Sequence, residues 1–202
     1  MAGINSTFSN ILELIGSLYP LFIVSFLVIA SIFNWNILKG VTYLGGIVLC
    51  FVSWMLIGKL FNKQRSTAAS LTCNLLSVPG NFIMPNLPIM ISLFTYAYII
   101  IPMIEASLIN PVVIAVMTIL SGVNAFYQYD NSCTDMFGIV FSIIIGLILG
   151  SLWFVLFWAS GKNELLFYNE LISNNVMCNR PSNQTFKCTV YKNGEIISRN
   201  VV

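Results

Sequence analysis

Five stretches of the chain are apolar and almost free of charge, and polar residues gather in short clusters between them. The runs cover residues 14–33, 37–61, about 82–104, 108–127 and 136–159. Each reaches the roughly 20 residues that a helix needs to cross a hydrocarbon layer about 30 Å thick. None alternates as a barrel strand would, and lipid offers no partner to backbone N–H and C=O groups, so each run is predicted to be a helix. Lys39, near one end of the second run, is expected to snorkel outward. Residues 65–81 are uncharged after Arg65 and rich in Ser, Thr, Asn, Pro and Gly, the composition of a membrane-edge loop or a re-entrant stretch. Pro79, Pro85 and Pro88 are expected to hold back a regular third helix until about Ile89, or to kink its first turn.

The pattern changes after Gly161. Phe186, Cys188 and Val190 alternate with Lys187, Thr189 and Tyr191 ahead of Asn193-Gly194, which predicts a β-hairpin over residues 185–198. Residues 164–172 are expected to form a short amphipathic helix resting on the membrane surface. The reading is an all-α multi-pass membrane protein of about five transmembrane helices (1–161) with a polar extramembrane tail carrying a small β-hairpin (162–202).

Composition sharpens this picture. Of 202 residues, 57% are hydrophobic and only 8% charged, with mean hydropathy +0.87, too few charges to keep a whole surface wet. Eight of the sixteen charged residues fall in 1–161 and eight in the shorter 162–202. A net charge of +2 is too small and too dispersed to argue for nucleic acid or a polybasic lipid patch. There is no histidine, so imidazole bases, nucleophiles and metal ligands are all excluded. The first run has neither a basic segment before it nor a small-residue cleavage pattern, and is expected to stay in the mature protein. Lys59, Lys63 and Arg65, three cations in the connection after the second run, point to a cytosolic position for that connection. The basic residues of the tail pull the other way.

Five cysteines are present. Cys50 inside the second run, and Cys73 and Cys133 in loops, read as free buried thiols. Cys178 and Cys188 flank a nine-residue polar segment and would close a small disulfide loop if the tail met an oxidising space. Without histidine, these two supply half a zinc shell at most, so no metal or other cofactor is expected. Asn5-Ser6-Thr7 and Asn183-Gln184-Thr185 fit the glycosylation sequon.

The order of the connections resembles the membrane-embedded type 2 phosphatidic acid phosphatase superfamily. In that family three loop elements, K-x6-R-P, P-S-G-H and S-R-x5-H-x3-D, meet at one membrane face and hold a phosphate for attack by a histidine. Here Lys59 opens the first element, Arg65 stands one residue early, and Ser66-Thr67 replace the arginine and proline. The second reads Pro85-Asn86-Leu87-Pro88, and the third ends in Asn131 and Asp135, with serine, arginine and histidine gone. The resemblance implies a retained helix packing and lost catalysis, since asparagine cannot accept a phosphoryl group. In the tail, Cys178-Asn-Arg-Pro-Ser-Asn-Gln-Thr-Phe-Lys-Cys188 onward to Gly194 resembles a membrane protein of large icosahedral DNA viruses of the chlorovirus and related groups. That resemblance implies a virion internal-membrane or minor capsid protein, inserted first into an endoplasmic-reticulum-derived membrane.

Three functions compete. The first is a structural anchor, packed through Gly45-Gly46 and Gly146 to Gly150, alone or as an oligomer. Its hairpin (Phe186, Lys187, Val190, Tyr191, Lys192) would dock a capsid or core protein by strand addition. The second is a lipid-phosphate phosphatase, with Lys59, Lys63 and Arg65 clamping phosphate and Asp135 activating water. The third is a channel or carrier built on Asn110, Thr118, Ser121 and Asn124. Of the charged residues near lipid, Glu105, Asp130, Asp135, Lys59, Lys63 and Arg65 are expected at helix ends, in water or headgroups.

Overall fold

The computed structural model describes residues 8–63, 73, 82–105, 107, 109–167, 187–192 and 195–201. Five long helices carry the chain: α1 Phe8–Phe33, α2 Ile37–Phe61, α3 Leu87–Glu105, α4 Pro111–Asp130 and α5 Met136–Ala159. All five are long and apolar enough to cross a membrane. A single 3-10 turn follows at Asn163–Leu165, and the strands β1 Lys187–Lys192 and β2 Glu195–Val201 pair antiparallel. Their register runs from Lys187 opposite Val201 to Lys192 opposite Glu195, with an irregularity between Val190 and Tyr191.

Local chemistry sets the helix ends. Asn110 caps α4 by accepting from the amides of Val112 and Val113, and Pro111 occupies the first position, where a missing N–H costs nothing. Asp135 caps α5 by accepting from Gly138 N. The third helix begins at Leu87, before the delayed start at about Ile89, so its prolines take the other expected place, in the first turn. Pro88 falls in the first turn, whose amides are unpaired anyway, and Asn86 Oδ1 accepts from Ile89 N. The first helix also starts earlier than expected and takes in Glu13. Pro20 and Pro102 lie inside α1 and α3 and are both buried, where neighbouring helices cover the backbone they leave unpaired.

The third helix is the axle. Of its apolar window 72% is buried inside the protein, against 22–33% for the other four, which surround it. Its tightest neighbour is α5. A Cβ on Gly146 would stand 2.7 Å from the carbonyl oxygen of Met90, and one on Gly150 would collide with that of Phe94. The Gly146-x3-Gly150 pair therefore serves packing within the chain, backbone against backbone. Gly46 lies beneath the ring of Phe94, and Gly58 beneath that of Phe82.

Tyr43, Phe94, Tyr98, Met103 and Phe154 form one core cluster; Trp54, Phe82, Leu87 and Met90 form a second. The outer surface is studded with exposed Phe22, Phe26, Leu60, Val112 and Phe137, the face a lipid-solvated bundle presents. Trp35, in the turn between α1 and α2, and Trp158, near the end of α5, lie exposed at the same end of the bundle, as residues of an interfacial belt do.

Two expectations are corrected here. Residues 163–167 make only one 3-10 turn, and instead of lying on the membrane surface Leu166 and Phe167 tuck into the first core cluster. Phe167 meets the rings of Tyr43 and Tyr98 edge-on, because Gly161, at φ +68°, turns the chain back towards the bundle. Lys39 does not extend outward but is only 5% exposed, held within the protein at the start of α2.

Candidate functional site

With five helices running up and down, the start of α1, the α2–α3 connection and the α4–α5 connection share one end of the bundle. That end carries a dense polar network. Lys63 Nζ donates to Asp135 Oδ2 at 2.5 Å, joining the end of α2 to the start of α5. Ile83 N donates to the Lys63 carbonyl at 3.0 Å, and Thr134 Oγ1 donates to the Ile83 carbonyl at 2.9 Å. Asn131 Nδ2 donates to Glu13 Oε1 at 3.0 Å, tying the end of α4 to α1. A disulfide between Cys73 and Cys133 links the long α2–α3 connection to the short α4–α5 connection across a sequence separation of 60.

Beneath this layer lies a buried hub. Asn86, 1% exposed, donates its amide N–H to Ser142 Oγ at 2.7 Å and its Nδ2 to Gln128 Oε1 at 3.0 Å. Ser142 Oγ in turn donates a hydrogen bond to the carbonyl of Gly138, and Trp54 Nε1 donates to the carbonyl of Pro85. One asparagine thus joins α3, α4 and α5. In lipid a polar group has no solvent to fall back on, so the hub holds the three helices in register. Asn86→Leu should cost about 1–3 kcal/mol, because Gln128 is left unpaired. Thermal unfolding in detergent measures this.

An open cleft of about 440 Å³ at the same end is lined by Ile83, Tyr129, Asp130, Ser132, Thr134 and Asp135. The hydrogen bond from Lys63 holds the Asp135 carboxyl below the usual carboxylate range, helped by the Gly138 amide and the Lys63 charge and opposed by partial burial. A carboxyl lowered in this way contributes stability that is present above its ordinary pKa and disappears as pH falls through its folded value. Lys63 is exposed and Asp135 about a third exposed, so solvent screens the pair and it is worth under about 1 kcal/mol. Asp135→Asn, which keeps the cap, should change unfolding little at pH 7 and remove the acid-side loss. Asp135→Ala should cost about 1 kcal/mol through the cap. Unfolding followed from pH 7 to 3 separates the two.

Among the vestigial phosphatase-like positions, Pro85, Asn131 and Asp135 share this end with Lys59 and Lys63. Lys63, not Lys59, reaches Asp135; Lys59 is exposed in the last turn of α2. Arg65 lies outside the described residues. Pro85 is buried and follows a cis peptide bond. Glu105 and Asp130 end α3 and α4 in exposed positions, as expected of charges near lipid. No group of three metal-ligating side chains occurs among the described residues.

No family model, curated protein or solved structure matches the chain.

Of the tail positions, Lys187, Val190, Tyr191 and Lys192 lie in β1, with Cys188 opposite Asn200; Phe186 and Cys178 lie outside the described residues. The residues proposed for a carrier are mostly committed to structure. Asn110 is a helix cap, Thr118 Oγ1 meets Tyr96 Oη at 3.1 Å, and Asn124 Nδ2 donates to the Gly16 carbonyl at 2.6 Å. The reading of Cys73 and Cys133 as free thiols is overturned by their disulfide, while Cys50 is free and buried as expected. Glu13, Asn86, Gln128 and Ser142 were not singled out from the sequence. For the cysteines a signal existed, since helix parity alone places residues 73 and 133 at the same end.

Proposed function

We propose that this protein is a non-enzymatic membrane anchor, a structural component of the internal membrane of a virus particle, whose hairpin tail engages a capsid or core protein. The observation that carries the non-enzymatic part is the commitment of the polar end. Asp135 is taken up by Lys63 and the α5 cap, Asn131 by Glu13, Thr134 by Ile83, and Asn86 by Gln128 and Ser142. Side chains bound to one another in this way hold loops together, whereas a catalytic base must be open to substrate. The virion setting is supported by the tail resemblance, and the docking role by a two-stranded ribbon, whose outer edges offer unpaired backbone groups. Copurification with intact particles, and crosslinks from Lys187 or Lys192 to a capsid or core protein, are the expected results. Dispersal among host membranes without a stable partner overturns the proposal.

The phosphatase reading has one geometric observation in its favour, the presence of Lys63, Pro85, Asn131 and Asp135 at one end. Helix parity produces that gathering whatever the function, and an aspartate held anionic by a lysine is a poor base for water. Phosphate release from purified protein on a lipid phosphate, abolished by Asp135→Asn, would establish the enzyme instead.

A further inference from the structure

The disulfide argues for an orientation in the membrane opposite to the one suggested by the cations of the α2–α3 connection. We infer that the end carrying Cys73–Cys133 faces an oxidising compartment, and that the polar tail lies on the cytosolic, reducing side. Disulfides persist in the endoplasmic reticulum lumen, the periplasm or the exterior, and are reduced in the cytosol. The Cys73–Cys133 bond joins two connections at the end shared with the start of α1, so that whole end lies on the oxidising side.

The cations near the spans do not decide the matter. The rule that places positive charge on the cytosolic side counts Lys and Arg in short segments and within about 15–20 residues of a span end. In sequence that leaves Lys59, Lys63 and Arg65 around the α2–α3 connection against Lys39 at the start of α2 and Lys162 just after α5, a difference of one. Lys63 is in addition tied to Asp135, so the disulfide carries the assignment.

A consequence follows for the tail. On the reducing side Cys178 and Cys188 remain thiols, and a protein engaged by the hairpin is one reached from the cytosol. That statement about the partner rests on the proposed docking role; the orientation does not.

The test inserts the full chain into sealed microsomes with a glycosylation acceptor on a 20-residue spacer, placed either before Met1 or after Val202. The expected result is a one-glycan mobility shift, removed by endoglycosidase, for the amino-terminal tag and none for the carboxy-terminal tag. Added protease should trim the tail from intact vesicles, and non-reducing electrophoresis should show a faster band that Cys73→Ser abolishes. A glycan on the carboxy-terminal tag, a tail protected from protease, or a Cys73–Cys133 pair that stays reduced in vesicles each overturns the inference. If neither tag is modified, the protease result decides. Because these readouts report orientation only, a failure to crosslink a capsid or core protein counts against the docking role and leaves the orientation standing.

Discussion

Replacing Gly150 by leucine should separate α5 from α3 and give the largest loss of stability of any single substitution in the bundle. A Cβ at that position collides with the Phe94 carbonyl oxygen and stands 2.9 Å from Ala97 Cβ. The obstacle is backbone and a short side chain, so no rotamer change relieves it. Overpacking a dense interior costs about 1–3 kcal/mol for modest insertions, and a leucine against a backbone carbonyl belongs at or above the top of that range. Alanine is the sharper test of sign. In an open helix position Gly→Ala gains up to about 1 kcal/mol from propensity alone. Gly122 has nothing within 4 Å of its would-be Cβ, so Gly122→Ala should be neutral or stabilising, whereas Gly150→Ala should destabilise. Unfolding of the three variants in detergent, followed by thermal aggregation or loss of near-ultraviolet signal, checks the ordering. Equal effects at 122 and 150 would contradict the close α3–α5 approach.

Loss of the disulfide should rank second. Cys73→Ser opens a link that closes a long stretch of chain, α3 and α4 included, and removal of such a bridge costs about 2–4 kcal/mol. Two features identify the cause. Cys133→Ser should cost the same as Cys73→Ser, and the double variant should cost no more than either single one, because one bond cannot be lost twice. Reductant should bring the wild-type protein to the level of the variants and leave the variants unchanged. The effect should be concentrated where the bond sits. Hydrogen exchange should rise at the start of α5 and the end of α4, with the opposite end, where Leu166 and Phe167 lock onto Tyr43 and Tyr98, left as it was.

Much of this architecture can be read along the chain. Two of the five runs match their helices residue for residue, α2 at 37–61 and α5 at 136–159, because they end where charge or turn residues begin. Hydropathy alone placed the fourth run at 108–127, three residues early at each end; the cap at Asn110 and Pro111 in the first helical position set the actual start. Three prolines in ten residues left two possibilities for the start of α3, a helix delayed to about Ile89 or one with proline in its first turn, and the folded backbone puts Pro88 in a first turn whose amides need no partner within the helix. The short surface helix expected after Gly161 did not form in the described residues. Its apolar side chains, Leu166 and Phe167, found a better partner in an aromatic cluster whose members come from helices distant in sequence.

The polar end divides in the same way. Asp135 as a cap, and the charges at the helix ends, follow from position, since ionised groups leave the hydrocarbon wherever the chain permits. The partners do not follow from position. Nothing local to Lys63 says that it meets Asp135 rather than Asp130, and nothing near Cys73 names Cys133 across 60 residues.

By itself, the amino-acid sequence determined that this is a five-span membrane protein and set half of its helix ends, because hydropathy is a property of one segment measured against lipid or water. Only the tertiary structure decided that α3 is the axle, that Asn86 joins three helices, and that two loop cysteines are bonded. To a helix, a bilayer and a protein interior are almost equally apolar, so a buried span and a lipid-facing one are written in the same residues. Which of them stands at the centre is settled only by where glycines let backbones touch and where polar side chains find one another.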